Sequence, residues 1–184
     1  MELNIVKFFN RLGRGTVLDE LTDFVSRIFY LSAFWTVFTI AIFFFAENGR
    51  IIATALTIAA GLHFLISEGL LKYLLVKYLK KIRPYVTHPN EVFPIGRKHN
   101  DSSFPSSHMS AILSILTVLI YFYPGTWLVL LLLVLFMAFA RLHNGMHYPS
   151  DVIAGSILGI LYGAAGVYSS EIVLGRFDFL KKLV

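Results

Sequence analysis

Arg141-Leu142-His143-Asn144-Gly145-Met146-His147-Tyr148-Pro149-Ser150-Asp151 gathers an arginine, two histidines and an aspartate between two strongly apolar segments. A soluble domain averages about 45–50% apolar and about 25% charged residues. This chain of 184 residues is 57% hydrophobic and 15% charged, with a mean hydropathy of +0.70. One soluble core could not hide that much apolar surface, so the flanks read as membrane spans. Ionisable groups between such spans must then face one another, water or a ligand.

Working outward, the chain predicts an all-α, polytopic transmembrane helix bundle of five spans. They cover about 28–46, 51–75, 108–123, 126–140 and 152–169, the fourth being short. About 20 residues cross the hydrocarbon core. Residues 1–26 predict an interfacial amphipathic helix. Ile5, Phe8, Phe9 and Leu12 share a face opposite Lys7, Arg11 and Arg14, with the basic face towards headgroups. Gly13 and Gly15 interrupt the pattern, and Leu18, Leu21, Phe24 and Val25 resume it. The first ten residues lack a basic start followed by an apolar run, so a cleaved signal peptide is not expected. One membrane domain is expected over 1–184, with its bundle at 27–170, a polar loop at 76–107 and a tail at 171–184. Gly155, Gly159, Gly163 and Gly166 line the last span with small residues, which suits close packing in lipid. In the second span, Glu68 and Lys72 are spaced for an internal ion pair, and His63 reads as a packed residue.

The net charge of +5 points to anionic headgroups or phosphates. No hydrophilic module remains that would bind nucleic acid. Cysteine is absent, which removes thiol chemistry. With five spans, the loops at 72–107 and 141–151 fall on one side of the membrane, so the polar chemistry converges there. Arg83 and Arg141 can each grip an oxyanion with two N–H groups. Ser106, after Pro105, is a good N-cap, leaving the N–H groups of Ser107 and His108 free for phosphate. His147 and Asp151 lie four apart, so the carboxylate is expected to hold one imidazole nitrogen while the other attacks. His108 is expected to protonate the departing oxygen.

These pieces resemble the type-2 phosphatidic acid phosphatase family of membrane lipid phosphatases, whose motifs are Lys-x6-Arg-Pro, Pro-Ser-Gly-His and Ser-Arg-x5-His-x3-Asp. Arg83-Pro84 matches the end of the first motif and Pro105-Ser106-Ser107-His108 the second. Ala140-Arg141, His147 and Asp151 match the third. The resemblance implies a phosphohistidine formed on His147, oriented by Asp151, with His108 as general acid. It also implies phosphate binding by Arg83, Arg141, Ser106, Ser107 and a lysine, with no metal and no cofactor. Three departures stand out: Ser107 replaces the motif glycine, Ala140 replaces the motif serine, and Val76 replaces the motif lysine. Lys77 is the candidate lysine, one residue late. On an ideal helix it points about 120° from Arg83, whereas Lys80 lies about 60° away.

Two rivals compete. His143, His147 and Asp151 form a metal-like string, although Gly145 and Pro149 break any one helix presenting all three; His143 reads as a supporting residue. A transporter would need polar residues in mid-span, where the last three spans carry almost none. The resemblance implies a bacterial envelope enzyme acting on a lipid phosphate in the inner membrane, with its site on the periplasmic face. Undecaprenyl diphosphate is the first expectation. The 1-phosphate of lipid A, phosphatidylglycerophosphate and phosphotransfer to another lipid are alternatives.

Overall fold

The computed structural model describes the backbone of residues 1–78 and 80–181, and the side chains of these except 75–77 and 175–181. The described residues form helices and no strand. The helices are α1 (Glu2–Arg11), α2 (Val17–Val25), α3 (Ile28–Phe45), α4 (Gly49–Leu62), α5 (Lys72–Tyr78), α6 (Pro84–Thr87), α7 (Ser107–Phe122), α8 (Trp127–His143) and α9 (Pro149–Lys181). A π-helical segment, His63–Leu71, joins α4 to α5. A 3-10 turn, Pro124–Thr126, leads into α8.

Four helical stretches are long and apolar enough to span a bilayer: 28–45, 49–74, 124–143 and 149–174. The fifth apolar helix, α7, has 16 residues and is about 24 Å long at 1.5 Å per residue. The expected short fourth span is therefore corrected. Arg141 and His143 stay in the last turn of α8, where cations suit the negative end of the helix dipole. The short member is α7, which packs against α4, α8 and α9.

The bundle closes around α9, which lies along α7 and α4. The small-residue stripe sets that approach. A Cβ on Gly159 would stand 2.6 Å from the Ser110 carbonyl on α7, and one on Gly166 2.6 Å from the Ala55 carbonyl on α4. Ile52, Leu56, Met109, Leu116 and Val118 fill the core between these helices. By contrast, the outward residues Phe29, Phe34, Val37 and Phe44 of α3 and Leu128, Leu132 and Leu135 of α8 are exposed, as lipid-facing surfaces require.

The N-terminal region differs from the single interfacial helix expected. Gly13 and Gly15 adopt φ of +68° and +76°, a left-handed turn that divides it into α1 and α2. Its orientation differs too. The polar side docks onto the site loops, where Lys7 pairs with Glu91 and the Arg14 guanidinium sits 4.0 Å over the Phe93 ring. Phe8, Leu12, Leu21 and Phe24 face outward. Partners for the cations come from the polar loop, so the apolar face is left for lipid.

Candidate active site

The site begins where α5 ends. Pro84 excludes its predecessor from helical geometry, and Arg83 is extended, with φ −67° and ψ 148°. In extended chain, alternate side chains share a face, so Lys81 accompanies Arg83 into the site. Lys81 is the lysine that the described residues place at the site. Lys81 Nζ donates to Asp151 Oδ1 at 2.6 Å and to Ser150 Oγ at 2.7 Å. The Lys77 side chain lies outside the described residues, and Lys80 is exposed with no partner recorded there. Residues 80–83 are not helical, so angles on an ideal helix do not relate position 77 to position 83.

Arg83 is buried and its terminal nitrogens are held. Nη1 donates to the Met146 carbonyl at 3.1 Å, and Nη2 donates to Asp101 Oδ1 at 2.6 Å. Asp101 also meets Lys72 at 3.2 Å, and Lys72 donates to Glu68 at 2.7 Å. The expected Glu68–Lys72 pair is thus one end of a chain leading to the clamp. Burial would raise the Asp101 pKa, but the Arg83 hydrogen bond and the Arg83 and Lys72 charges outweigh it and hold the carboxylate below its ordinary value.

His147 sits on the loop between α8 and α9, and Gly145 in left-handed geometry (φ +67°) lets that loop turn back against Val92. Its Nδ1 lies 2.7 Å from the Ser103 carbonyl. A carbonyl only accepts, so Nδ1 carries the proton and Nε2 keeps the lone pair. Nε2 is 3.5 Å from Arg83 Nη1. Burial, and then the charges of Arg83 and Arg141, depress the His147 pKa and so favour the neutral ring.

Asp151 is beside this ring without holding it. Its Oδ2 is 3.9 Å from His147 Nδ1 and accepts the Tyr148 N–H at 2.8 Å. That is the reach-back of a third helical residue to the N-cap. The orienting hydrogen bond expected from Asp151 comes instead from Ser103, and Asp151 fixes the loop and Lys81.

Ser106 is the N-cap of α7, but its hydroxyl caps nothing. Among the described residues, Ser106 Oγ, Ser103 Oγ, Arg83 Nε and both Nε and Nη2 of Arg141 are buried polar atoms with no partner. The N–H groups of Ser107 and His108 also meet no acceptor there. Buried polar groups normally find partners. A set of unpaired donors on two arginines, two serines and a helix N-terminus has the chemistry to receive an oxyanion. Ser107 also turns its hydroxyl towards Glu68. His108 and Arg141 line a cavity of about 200 Å³. There the His108 Nε2 donates to the Ser26 carbonyl at 2.9 Å, leaving Nδ1 as the nitrogen free to carry an acid proton.

His143 is spent elsewhere. Its Nδ1 meets the Phe9 carbonyl and its Nε2 meets Asp19 Oδ1, each at 2.9 Å. The His143–His147–Asp151 string is therefore divided, with His143 turned to α1 and α2 and away from the other two, which argues against a shared metal. Lys81, Asp101 and Ser103 carry no sequence signal as site residues, apart from the alternation that Pro84 imposes on Lys81.

The sequence profile of the PAP2 superfamily matches residues 51–172, a span containing every one of these groups except the N-terminal helices. A bacitracin transport permease protein BcrC of Bacillus licheniformis is 29% identical, covering 87% of this chain and 77% of its own. The undecaprenyl-diphosphatase BcrC of Bacillus subtilis strain 168 is 26% identical, covering 100% and 91%. A lipid A 1-phosphatase of Rhizobium johnstonii is also 26% identical, covering 81% and 66%. The fold is shared with the PAP2-type phosphatidylglycerolphosphate phosphatase of Bacillus subtilis, at a TM-score of 0.67 and 18% identity over 94% of this chain and 85% of that one. It is shared too with Aquifex aeolicus LpxE, at a TM-score of 0.63 and 20% identity over 91% and 94%. The chain belongs to the PAP2 superfamily and is a multi-pass membrane phosphatase.

Proposed function

We propose that the chain hydrolyses the terminal phosphate of undecaprenyl diphosphate through a phosphohistidine on His147. The observation that carries the chemistry is the direction of one lone pair. The Ser103 carbonyl accepts the Nδ1–H of His147, so the Nε2 lone pair faces the arginine clamp ready to attack. Arg141 and Arg83, with Ser106 and the N–H groups of Ser107 and His108, bind the phosphoryl oxygens and stabilise charge in the transition state. His108 supplies the proton to the leaving oxygen, and water then cleaves the phosphohistidine. No step calls for a metal.

The substrate reading draws on the Bacillus subtilis relative, which aligns along the whole chain. The lipid A 1-phosphatase relative supports a second reading, release of the 1-phosphate of lipid A. Phosphate release by purified protein from undecaprenyl diphosphate, lipid A and phosphatidylglycerophosphate tests both, with His147→Ala as control. The expected result is fastest release from the diphosphate, inhibition by vanadate, persistence in EDTA and loss in His147→Ala. Full activity of His147→Ala would refute the mechanism, and faster release from lipid A would refute the substrate. The site is proposed to face the periplasm from the inner membrane.

A further inference from the structure

The cavity beside His108 continues past the phosphoryl clamp. Beyond Arg141 and His108 it is bounded by Arg97, His99 and Phe29, and by Arg27 at the start of α3. Arg27 is engaged by Asp23 at 2.8 Å, so this pair adds little net charge. Arg97 has no partner among the described residues and is exposed to the cavity mouth.

The loop that carries it is fixed. Ile95 N–H donates to the Asn144 carbonyl at 3.3 Å. Tyr85 Oη donates to the His99 carbonyl at 2.8 Å and accepts the His99 N–H at 3.0 Å. Between these anchors Gly96 takes φ +78° and passes so close to Asp23 that a Cβ would overlap its carboxylate. Arg97 is therefore delivered to this place by three tethers.

The direction of attack makes the position meaningful. Nucleophile and leaving oxygen lie roughly in line through phosphorus. In the reading proposed above, His108 protonates the leaving oxygen, so what that oxygen carries lies on the His108 side, where this cavity opens. We propose that Arg97, with His99 beside it, forms a second anion subsite that binds the inner phosphate of a diphosphate substrate and makes the enzyme prefer diphosphates to monophosphates. The subsite rests on the terminal phosphoryl group lying against His147, as proposed above. In the step, Nε2 bonds to the terminal phosphorus as the bridging P–O bond breaks. The electron pair departs on the bridging oxygen with the inner phosphate. That group is an alkyl phosphate, whose second pKa is about 6, so it needs charge stabilisation more than a proton. A monophosphate ester expels an alkoxide, which is far more basic and needs the acid.

The two residues should therefore move substrate preference in opposite directions. Purified full-length protein in detergent is assayed with farnesyl diphosphate and farnesyl monophosphate. Arg97→Ala is expected to lower the diphosphate-to-monophosphate ratio of kcat/KM about tenfold, as for a lost hydrogen bond to a charged group, and Arg97→Lys to restore part of it. His108→Ala is expected to raise the ratio. A ratio unmoved by Arg97→Ala, or moved the same way by both variants, overturns the subsite. In parallel, the melting temperature is followed with methylenediphosphonate or inorganic phosphate at equal concentration. The bisphosphonate should stabilise the native chain more, and Arg97→Ala should abolish that advantage. Equal shifts in the native protein overturn the subsite. If neither farnesyl ester is hydrolysed, the prenyl-phosphate reading fails and the melting arm alone decides the subsite.

Discussion

At the scale of single residues, the site depends on which partner holds which charge. Asp151 is fully buried and its two oxygens are divided between Lys81 and the Tyr148 N–H. Removing one partner of a buried pair strands the other charge, at a cost of about 3–5 kcal/mol. The one-third exposure of Lys81 lets water recover part of that. Lys81→Met should therefore lower the melting temperature and the activity, and Asp151→Asn in the same chain should restore stability but not activity. A double-mutant cycle followed by thermal melting measures this coupling, and additive losses would refute it. His147 gives a second prediction. Burial and the flanking arginines lower its pKa, so the neutral nucleophile persists below its ordinary value of about 6.5. After correction for the substrate's own titration, the acid limb of kcat/KM should fall below pH 6.5, because that limb reports the free enzyme. The motif residues Arg83, His108, Arg141, His147 and Asp151 were legible because their spacing is read along the chain. Lys81 and Ser103 were not, since one depends on where α5 stops and the other acts through a backbone carbonyl that every residue possesses.

At the scale of elements, α1 and α2 form a polar buttress beneath the loop that bears His147. Asn10, with no exposed surface, donates to the Phe93 and His143 carbonyls at 2.8 and 2.6 Å and accepts the Phe93 N–H at 2.9 Å. Asn144 reaches in the other direction, donating to the Thr22 carbonyl and Ser26 Oγ. Ser150 N–H donates to Glu2. An amphipathic pattern does not say which of its faces meets protein, and the basic residues suggested headgroups until the acidic and aromatic partners, Glu91 and Phe93, appeared across the loop. Asn10→Leu would leave two carbonyls and an N–H unpaired inside the interface, each costing about 1–3 kcal/mol. Thermal melting should show a clear loss of stability, and activity should fall because the loop bearing His147 loses its support. A surface substitution on the outward face, Phe8→Leu, should alter neither by a comparable amount. Equal effects of the two would mean that the helices merely lie on the membrane.

At the scale of the whole molecule, hydropathy made the spans legible and their parity put both motif loops on one side, which is how the described helices run. What it could not convey is that α7, the helix carrying Ser107 and His108, is the shortest of the five apolar stretches. It packs against α4, α8 and α9. Sidedness is the remaining property of the whole chain. Twelve of the 16 basic residues lie on the site side, among them Lys7, Arg14, Arg27, Lys72, Lys81, Arg83 and Arg141. Counted as topology signals they would place the site in the cytoplasm. The structure gives these seven other duties: Lys7, Arg27, Lys72, Lys81 and Arg83 are paired with carboxylates, Arg14 lies on an aromatic ring, and Arg141 is buried in the site. Charges that serve the fold and the phosphate are a poor guide to translocation. A periplasmic site puts the C-terminal end of α9 in the cytoplasm. Green fluorescent protein fused after Val184 should then fluoresce in cells, and alkaline phosphatase fused at the same point should stay inactive. The reverse pattern would turn the molecule over and give the enzyme a cytoplasmic lipid phosphate instead.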